Sequence, residues 1–294
     1  MDTRTPLISV EELAQARPDA CLVADCRFDL NDPEQGRRDF LARHVPGAVY
    51  ADLNRDLSDL RKQKKGMGRH PLPEVGDLAE TLGRWGWRDG MTVIAYDAGP
   101  GAMAAARLWW LMRWVGIPSR VLDGGLVAWE AAGQPLASGT TQREPTRVKL
   151  QADPARVMFT ERTRELLAKD AILLLDARAA TRYRGETEPI DSMAGHVPGA
   201  RNRPFTANLE DGRHWRSSEA LRNEFLPLIG HRDPASVVHM CGSGVTACHN
   251  LLAMEHAGLH GSRLYAPSWS GWIADSDNPV EVGGEKKSRG TRGG

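Results

Sequence analysis

Four markers recur in the same order in both halves of this 294-residue chain, and that duplication restricts the fold to two copies of one unit. The first half reads Leu22-Val23-Ala24-Asp25-Cys26-Arg27, then His44-Val45-Pro46-Gly47-Ala48, then Val93-Ile94-Ala95-Tyr96-Asp97, then Val121-Leu122-Asp123-Gly124-Gly125 ahead of Trp129. The second reads Leu173-Leu174-Leu175-Asp176-Ala177-Arg178, His196-Val197-Pro198-Gly199-Ala200, Val237-Val238-His239-Met240-Cys241, and Arg263-Leu264-Tyr265 ahead of Trp272. Each short run is nearly all apolar, as a strand buried on both faces must be, and the stretches between carry helical patterns. This alternation predicts an α/β fold of two tandem domains, each a mostly parallel sheet flanked by helices.

The chain is long enough for two full cores. Residues 1–138 form the expected first domain, the polar, punctuated stretch 139–156 the linker, and 157–282 the second domain, with residues 283–294 lacking anything to bury and expected to be a disordered tail. Helices are expected over Ala102 to Val115 and Val245 to Ala257, with capped helix openings at Ser9 and Thr160.

Charge excludes some functions. The 38 basic residues equal the 38 acidic ones and are mostly scattered, which argues against a nucleic-acid partner. Arg107 and Arg113 interrupt the apolar segment from Ala102 to Ile117, and Met1-Asp2-Thr3-Arg4 opens no apolar leader, so no membrane association is expected. Four cysteines, Cys21, Cys26, Cys241 and Cys248, are too few for a disulfide framework and fit a reducing cytoplasm.

The chemistry concentrates in Cys241-Gly242-Ser243-Gly244-Val245-Thr246-Ala247, where a cysteine stands between the end of a strand and the start of a helix. Backbone N–H groups of such a loop converge on the sulfur, and the helix N-terminus adds positive potential, so a thiolate is favoured. Gly242 and Gly244 are expected to supply the backbone angles. The duplication provides a control: Asp97 occupies the matching position in the first half, so only the second half carries a nucleophile. A small-molecule site is then expected in a cleft between the two domains.

Taken together, the Cys241–Ala247 loop, the paired His-Val-Pro-Gly-Ala segments and the closing Ser268-Trp269-Ser270-Gly271-Trp272 resemble the two-domain rhodanese family of sulfurtransferases, from about Leu22 to Val282. Within that family the loop is similar to that of 3-mercaptopyruvate sulfurtransferases, whereas thiosulfate-using members place basic residues where this chain has Gly242 and Ser243. The resemblance implies a Cys241 persulfide formed without a cofactor or metal, with a small-molecule sulfur donor and a small thiol, thioredoxin or cyanide as acceptor. Mercaptopyruvate is the expected donor, thiosulfate the alternative, and a non-catalytic sulfur carrier or sensor a further one. The resemblance also implies that Arg182 holds the donor's carboxylate, with Arg184 a further substrate-binding candidate, and that His70 works with the catalytic hydroxyl of Ser243. Two departures stand out: Ile190 occupies the place of a second arginine often found after the Glu-Pro that matches Glu188-Pro189, and Asn54, between Asp52 and Asp56, occupies that of the acid accompanying the histidine.

Other readings of these residues are weaker. A cysteine phosphatase needs Cys-x5-Arg, and the matching residue is Ala247; a zinc site at Cys241, Cys248 and His249 fits no common ligand spacing. Cys21, Cys26 and Cys248 read as core, and Asp25, Asp176, His44 and His196 as structural because they recur in both halves. Trp109, Trp110 and Trp114 read as packing, while Trp269 and Trp272 fall near the expected cleft, where they could contact the donor.

Overall fold

The computed structural model describes residues 5–284. The first domain runs β1 (Leu7–Ile8), α1 (Val10–Ala14), β2 (Cys21–Asp25), α2 (Gln35–Ala42), β3 (Val49–Tyr50), α3 (Val75–Arg84), β4 (Thr92–Tyr96), α4 (Ala104–Trp114), β5 (Ser119–Leu122) and α5 (Gly125–Ala131). The second runs β6 (Val157–Met158), α6 (Thr160–Ala168), β7 (Leu173–Asp176), α7 (Ala180–Tyr183), β8 (Arg201–Asn202), α8 (Ser218–Ile229), β9 (Val237–Met240), α9 (Ala247–His256), β10 (Arg263–Tyr265) and α10 (Ser268–Trp272). Strand order is β1-β5-β4-β2-β3 in one sheet and β6-β10-β9-β7-β8 in the other, the same topology twice. All the paired strands are parallel. β4 and β9 lie at the sheet centres, and the loops that follow them begin with Asp97 and Cys241.

Three apolar clusters hold these layers together. Two cover the outer faces of the sheets, one centred on Ile94, Tyr96 and Trp129, the other on Leu174, Met240 and Trp272. The third is continuous from one sheet to the other and includes Trp109 and Leu108 of α4 together with Leu252 and Met254 of α9. Burying each large side chain contributes about 1.5–3 kcal/mol, so this shared core joins the domains firmly. Polar bonds reinforce the seam: Arg113 pairs with Glu255 at 3.0 Å, and the Trp215 N–H donates to Asp123 at 3.0 Å.

The recurring markers have a shared structural use. Asp25 and Asp176 close their strands and each accepts the backbone N–H two residues on, at 3.0 and 2.9 Å. Each also binds the side chain of that same residue, Arg27 or Arg178, and each arginine reaches a loop carbonyl, Arg43 O or Gly195 O. His44 and His196 each anchor a ring nitrogen on a backbone carbonyl and stack on Phe40 or Tyr183.

Several expectations change in detail. The long helices begin later, at Ala104 and Ala247, because the preceding loops turn through positive φ at Gly101 (71°) and Gly244 (78°). Ser9 does form a capping box with Glu12. Thr160 does not cap: Phe159 occupies that position, and the Thr160 hydroxyl bonds the Tyr265 hydroxyl at 3.0 Å. The segment between the domains is tied to the first one, since Thr146 bonds Gly83 O and Trp87 O and the Asp153 N–H bonds Trp114 O. Of the expected tail, Gly283 donates to Arg184 O at 2.8 Å, while residues 285–294 lie outside the described residues. No helix among the described residues is long and apolar enough to cross a membrane.

Removing one member of a buried ion pair strands the other. Asp25→Ala is expected to cost about 3–5 kcal/mol in urea unfolding; a loss below about 1 kcal/mol would show that the Asp25–Arg27 pair does not hold the β2 end. His239, fully buried on β9, is held by burial at about 3, so it stays neutral in the folded chain while its unfolded counterpart takes up a proton below about 6.5. Folded stability attributable to it is therefore complete above pH 6.5 and falls by about 1.4 kcal/mol per pH unit below that, down to the folded value. His239→Leu should flatten that fall in unfolding measurements from pH 7 to 4, and an unchanged slope would refute the assignment.

Candidate active site

Cys241 follows the last residue of β9, and its backbone is fixed from α10. The Ser268 hydroxyl accepts the Cys241 N–H at 3.1 Å, and the N–H groups of Trp269 and Ser270 donate to the carbonyls of Cys241 and Gly242, both at 2.9 Å. Ser268 adopts φ 53°, an uncommon angle for a residue with a Cβ, and its hydroxyl also donates to Tyr265 O. The closing Ser-Trp-Ser-Gly-Trp segment is thus a clamp on the loop. Trp269 and Trp272 are 0% and 1% exposed and lie in the core, so the expected contact of these rings with a donor is not what the structure places there. Trp269 lies under the Arg178 guanidinium, 4.5 Å away.

The Cys241 Sγ accepts the N–H of Gly244 at 3.1 Å. Gly244 is required twice over, by its positive φ and because a Cβ there would lie 2.4 Å from the carbonyl oxygen of Ala266. Gly242 differs from expectation, since its φ lies outside the left-handed region. A Cβ there would lie 3.1 Å from Nη2 of Arg69 and 3.6 Å from Nη2 of Arg182, so the bare glycine leaves room for two guanidinium groups. Val245 is buried and Thr246 leads into α9 without a side-chain cap bond.

The loop of the first domain has the same form with a different occupant. Asp97 follows β4, and its carboxylate accepts the N–H groups of Gly99 and Gly101, each at 2.9 Å. Burial pushes its carboxyl up, against those bonds. A side-chain oxygen therefore takes, in this loop, the place that the sulfur holds in the second domain.

Residues from both domains meet over Cys241. His70, in the loop before α3, places Nδ1 2.8 Å from Oγ of Ser243. Burial, with Arg107 and Arg69 nearby, lowers His70 to about 3, so its ring is neutral near pH 7. Asp52 and Asp56 turn elsewhere, to Arg55 and Arg84. Arg182, on α7, binds Glu188 at 2.6 Å and Asp191 at 3.0 Å. Arg184, at the end of that short helix, points to the surface and pairs with Glu186 at 2.6 Å. The structure thus brings His70, Ser243 and Arg182 together and leaves Arg184 out, because one residue beyond the helix end faces a different direction.

Sequence reading missed three residues here. Arg69 crosses from the first domain to bind the Asp191 carboxylate, and its N–H bonds the Ser270 hydroxyl at 2.9 Å. Asp191 therefore bridges two arginines at the loop mouth. Arg107, on α4, donates to Gly244 O at 2.9 Å and to His70 O at 3.0 Å. The only available signal was adjacency, since Arg69 precedes His70. Ile190, by contrast, is 45% exposed.

The remaining candidates have other partners. Cys248 donates to Gly244 O at 3.4 Å, and burial pushes its thiol up to about 12. His249 uses both ring nitrogens, on Asn208 and on Pro100 O. Among the described residues no group of three or more His, Cys, Asp and Glu side chains is placed to hold a metal ion. The site lies at the seam between the two domains, with Cys241 only 2% exposed. A surface hollow lined by Asp170, Tyr183, His196, Arg201 and Arg232 contains no residue of the Cys241 loop.

Comparison with known proteins places this geometry. The rhodanese-like domain model matches residues 9–132 and again 160–275. The "Probable 3-mercaptopyruvate sulfurtransferase" of Pseudomonas aeruginosa is 46% identical over 282 residues, covering 94% of this chain and 98% of that protein. Thiosulfate sulfurtransferase of Cricetulus griseus is 30% identical over 294 residues, covering 96% and 97%. The solved 3-mercaptopyruvate sulfurtransferase of Leishmania major superposes with a TM-score of 0.78 at 30% identity, over 90% of this chain and 73% of that one. With two matching domains, one bearing Cys241 and the other Asp97 at the same loop position, the chain belongs to the rhodanese-like domain family.

Proposed function

We propose that this chain is a sulfurtransferase that moves sulfur from 3-mercaptopyruvate to a nucleophilic acceptor through a persulfide on Cys241. The observation that carries the reading is the meeting, within one closed seam, of the Cys241 loop with the Ser243–His70 pair. The high identity to a protein named for that activity supports it.

In the first half-reaction the Cys241 thiolate attacks the thiol sulfur of the donor. An S–S bond forms, the donor's C–S bond breaks, and its electron pair passes to carbon, giving the enolate of pyruvate. A proton taken up at that carbon completes pyruvate, and Cys241 keeps the transferred sulfur as a persulfide. No external oxidant is needed. Ser243 assists where charge develops: with the neutral His70 donating from Nδ1, the serine's own proton is free for the donor's carbonyl oxygen as it becomes an enolate oxygen. The guanidinium of Arg182, beside Arg69, is shaped for the donor's carboxylate. In the second half-reaction an acceptor (a small thiol, a reduced thioredoxin or cyanide) attacks the outer sulfur, and Cys241 returns as thiolate. The cytoplasm, where such thiols are reduced, is the proposed setting.

Thiosulfate is retained as a second donor on one observation. The neutral Gly242-Ser243 pair argues against a dianion, yet Arg69 sits where a basic side chain at position 242 would reach. A cation from the other domain therefore stands near the sulfur.

Side-by-side kcat/KM values for the two donors test the choice, with mercaptopyruvate expected to be favoured; the reverse order would transfer the assignment to thiosulfate. Cys241→Ser is expected to abolish the one-sulfur mass gain with both donors, and a retained gain would remove the mechanism. Ser243→Ala should lower kcat for mercaptopyruvate by about 100-fold and affect thiosulfate less, because thiosulfate generates no enolate. Equal losses would show that Ser243 only shapes the loop.

A further inference from the structure

Arg107 is an unbalanced charge. It projects from α4, is 0% exposed, and makes hydrogen bonds to two carbonyl oxygens, Gly244 O at 2.9 Å and His70 O at 3.0 Å. Its Nε has no partner. Other buried arginines have carboxylates: Arg27 has Asp25, Arg178 has Asp176, and Arg203 has Glu224. Among the described residues no carboxylate pairs with Arg107. Carbonyl oxygens solvate a guanidinium without neutralising it, so an isolated cation at this depth is costly.

The groups around it leave one source of negative charge. His70 meets Arg107 through its carbonyl, and its ring is neutral near pH 7. Cys248, on α9, shares the Gly244 carbonyl and lies within reach of the Arg107 guanidinium itself, but burial outweighs that cation and holds it as a neutral thiol. At the loop mouth, Asp191 is shared by Arg69 and Arg182, and Glu188 by Arg182 and Arg178. Ser243 carries no charge. Cys241 remains, on the other side of Gly244: the Gly244 carbonyl takes Arg107, and its N–H takes the sulfur. In the first domain the matching loop has an acid built in, as Asp97; in the second, a negative group exists only when the sulfur is ionised.

We propose that Arg107 is the fixed counter-cation of the Cys241 sulfur, so that charge beneath the loop is complete only when that sulfur is a thiolate or an anionic persulfide. Arg107 acts through Gly244 and is thus a positioning residue, supplied by the domain that has no nucleophile of its own. It gives that domain a function beyond walling the site. The inference rests on the reading of Cys241 as the sulfur acceptor, and concerns how its charge is held rather than which donor it takes.

Alkylation of Cys241 by iodoacetamide, followed by mass spectrometry from pH 5 to 10 with no donor present, tests this for wild type, Arg107→Met and Arg107→Lys. The methionine variant should have its profile moved up by about one pH unit, which lowers the rate near pH 7 about tenfold, while lysine restores most of it. A folded methionine variant with the wild-type profile would overturn the proposal. If that variant does not fold, the stability gap between wild type and Cys241→Ser decides. The gap should widen from pH 6 to pH 9, because only the cysteine can become the anion, and a constant gap would overturn the proposal. A protein that takes sulfur from neither donor, yet shows these Arg107 effects, would sink the assigned function and leave this inference standing.

Discussion

The packing of α4 against α9 is the contact on which the rest of the molecule depends. It merges the inner faces of the two sheets into one apolar core, and the site lies directly over that junction. His70 and Arg69 reach the Cys241 loop only because the first domain is seated there. The close passage of the loop at residues 66–70 over α10 shows how tight the seating is: a Cβ at Gly68 would lie 2.5 Å from Pro267 O, and one at Gly271 2.9 Å from Gly66 O. Bulk at either position would push the domains apart and separate Ser243 from its histidine.

The twin loops after β4 and β9 show how duplication divided the labour. Both follow the central strand of a five-stranded parallel sheet and both turn backbone N–H towards the side chain, two such groups on Asp97 at 2.9 Å and that of Gly244 on the Cys241 sulfur. In one the side chain is a carboxylate that satisfies the nest permanently; in the other it is a sulfur that can change its covalent partner and charge. The features common to both halves, the Asp-Arg pairs and the anchored histidines, hold the scaffold, and Arg178 also shares Glu188 with Arg182. Features found in one half only, Ser243 and Arg182 on one side, His70, Arg69 and Arg107 on the other, converge on the reactive loop, while the hold of α10 on that loop has its counterpart in α5, where the N–H groups of Leu126 and Val127 donate to the carbonyls of Asp97 and Ala98.

Charge at the site is distributed across the seam. Arg69 and Arg182 share Asp191 at the mouth, so two planar cations and the carboxylate between them stand next to Gly242 in a sequence stretch that is itself neutral. The neutral loop therefore describes the local segment and not the environment a donor meets. Burial has a parallel effect beneath, where His70 and Cys248 are both kept uncharged and Arg107 is left as the cation.

The sequence by itself determined the duplication, the buried strands, and a cysteine at the strand-to-helix junction. Each is a short-range property: a run of four or five apolar residues must be buried on both faces, and a cysteine next to it inherits the sheet's end. Helix starts were misread by two residues at Gly101 and Gly244 because positive φ cannot be told from glycine composition alone. Placement of the side chains was decided by the tertiary structure. Arg184 is adjacent in sequence to the site and absent from it, while Arg69 and Arg107, far from Cys241 along the chain, face its loop. The physical reason is that proximity across the seam is set by how two helices pack, and no local pattern in either half carries that information.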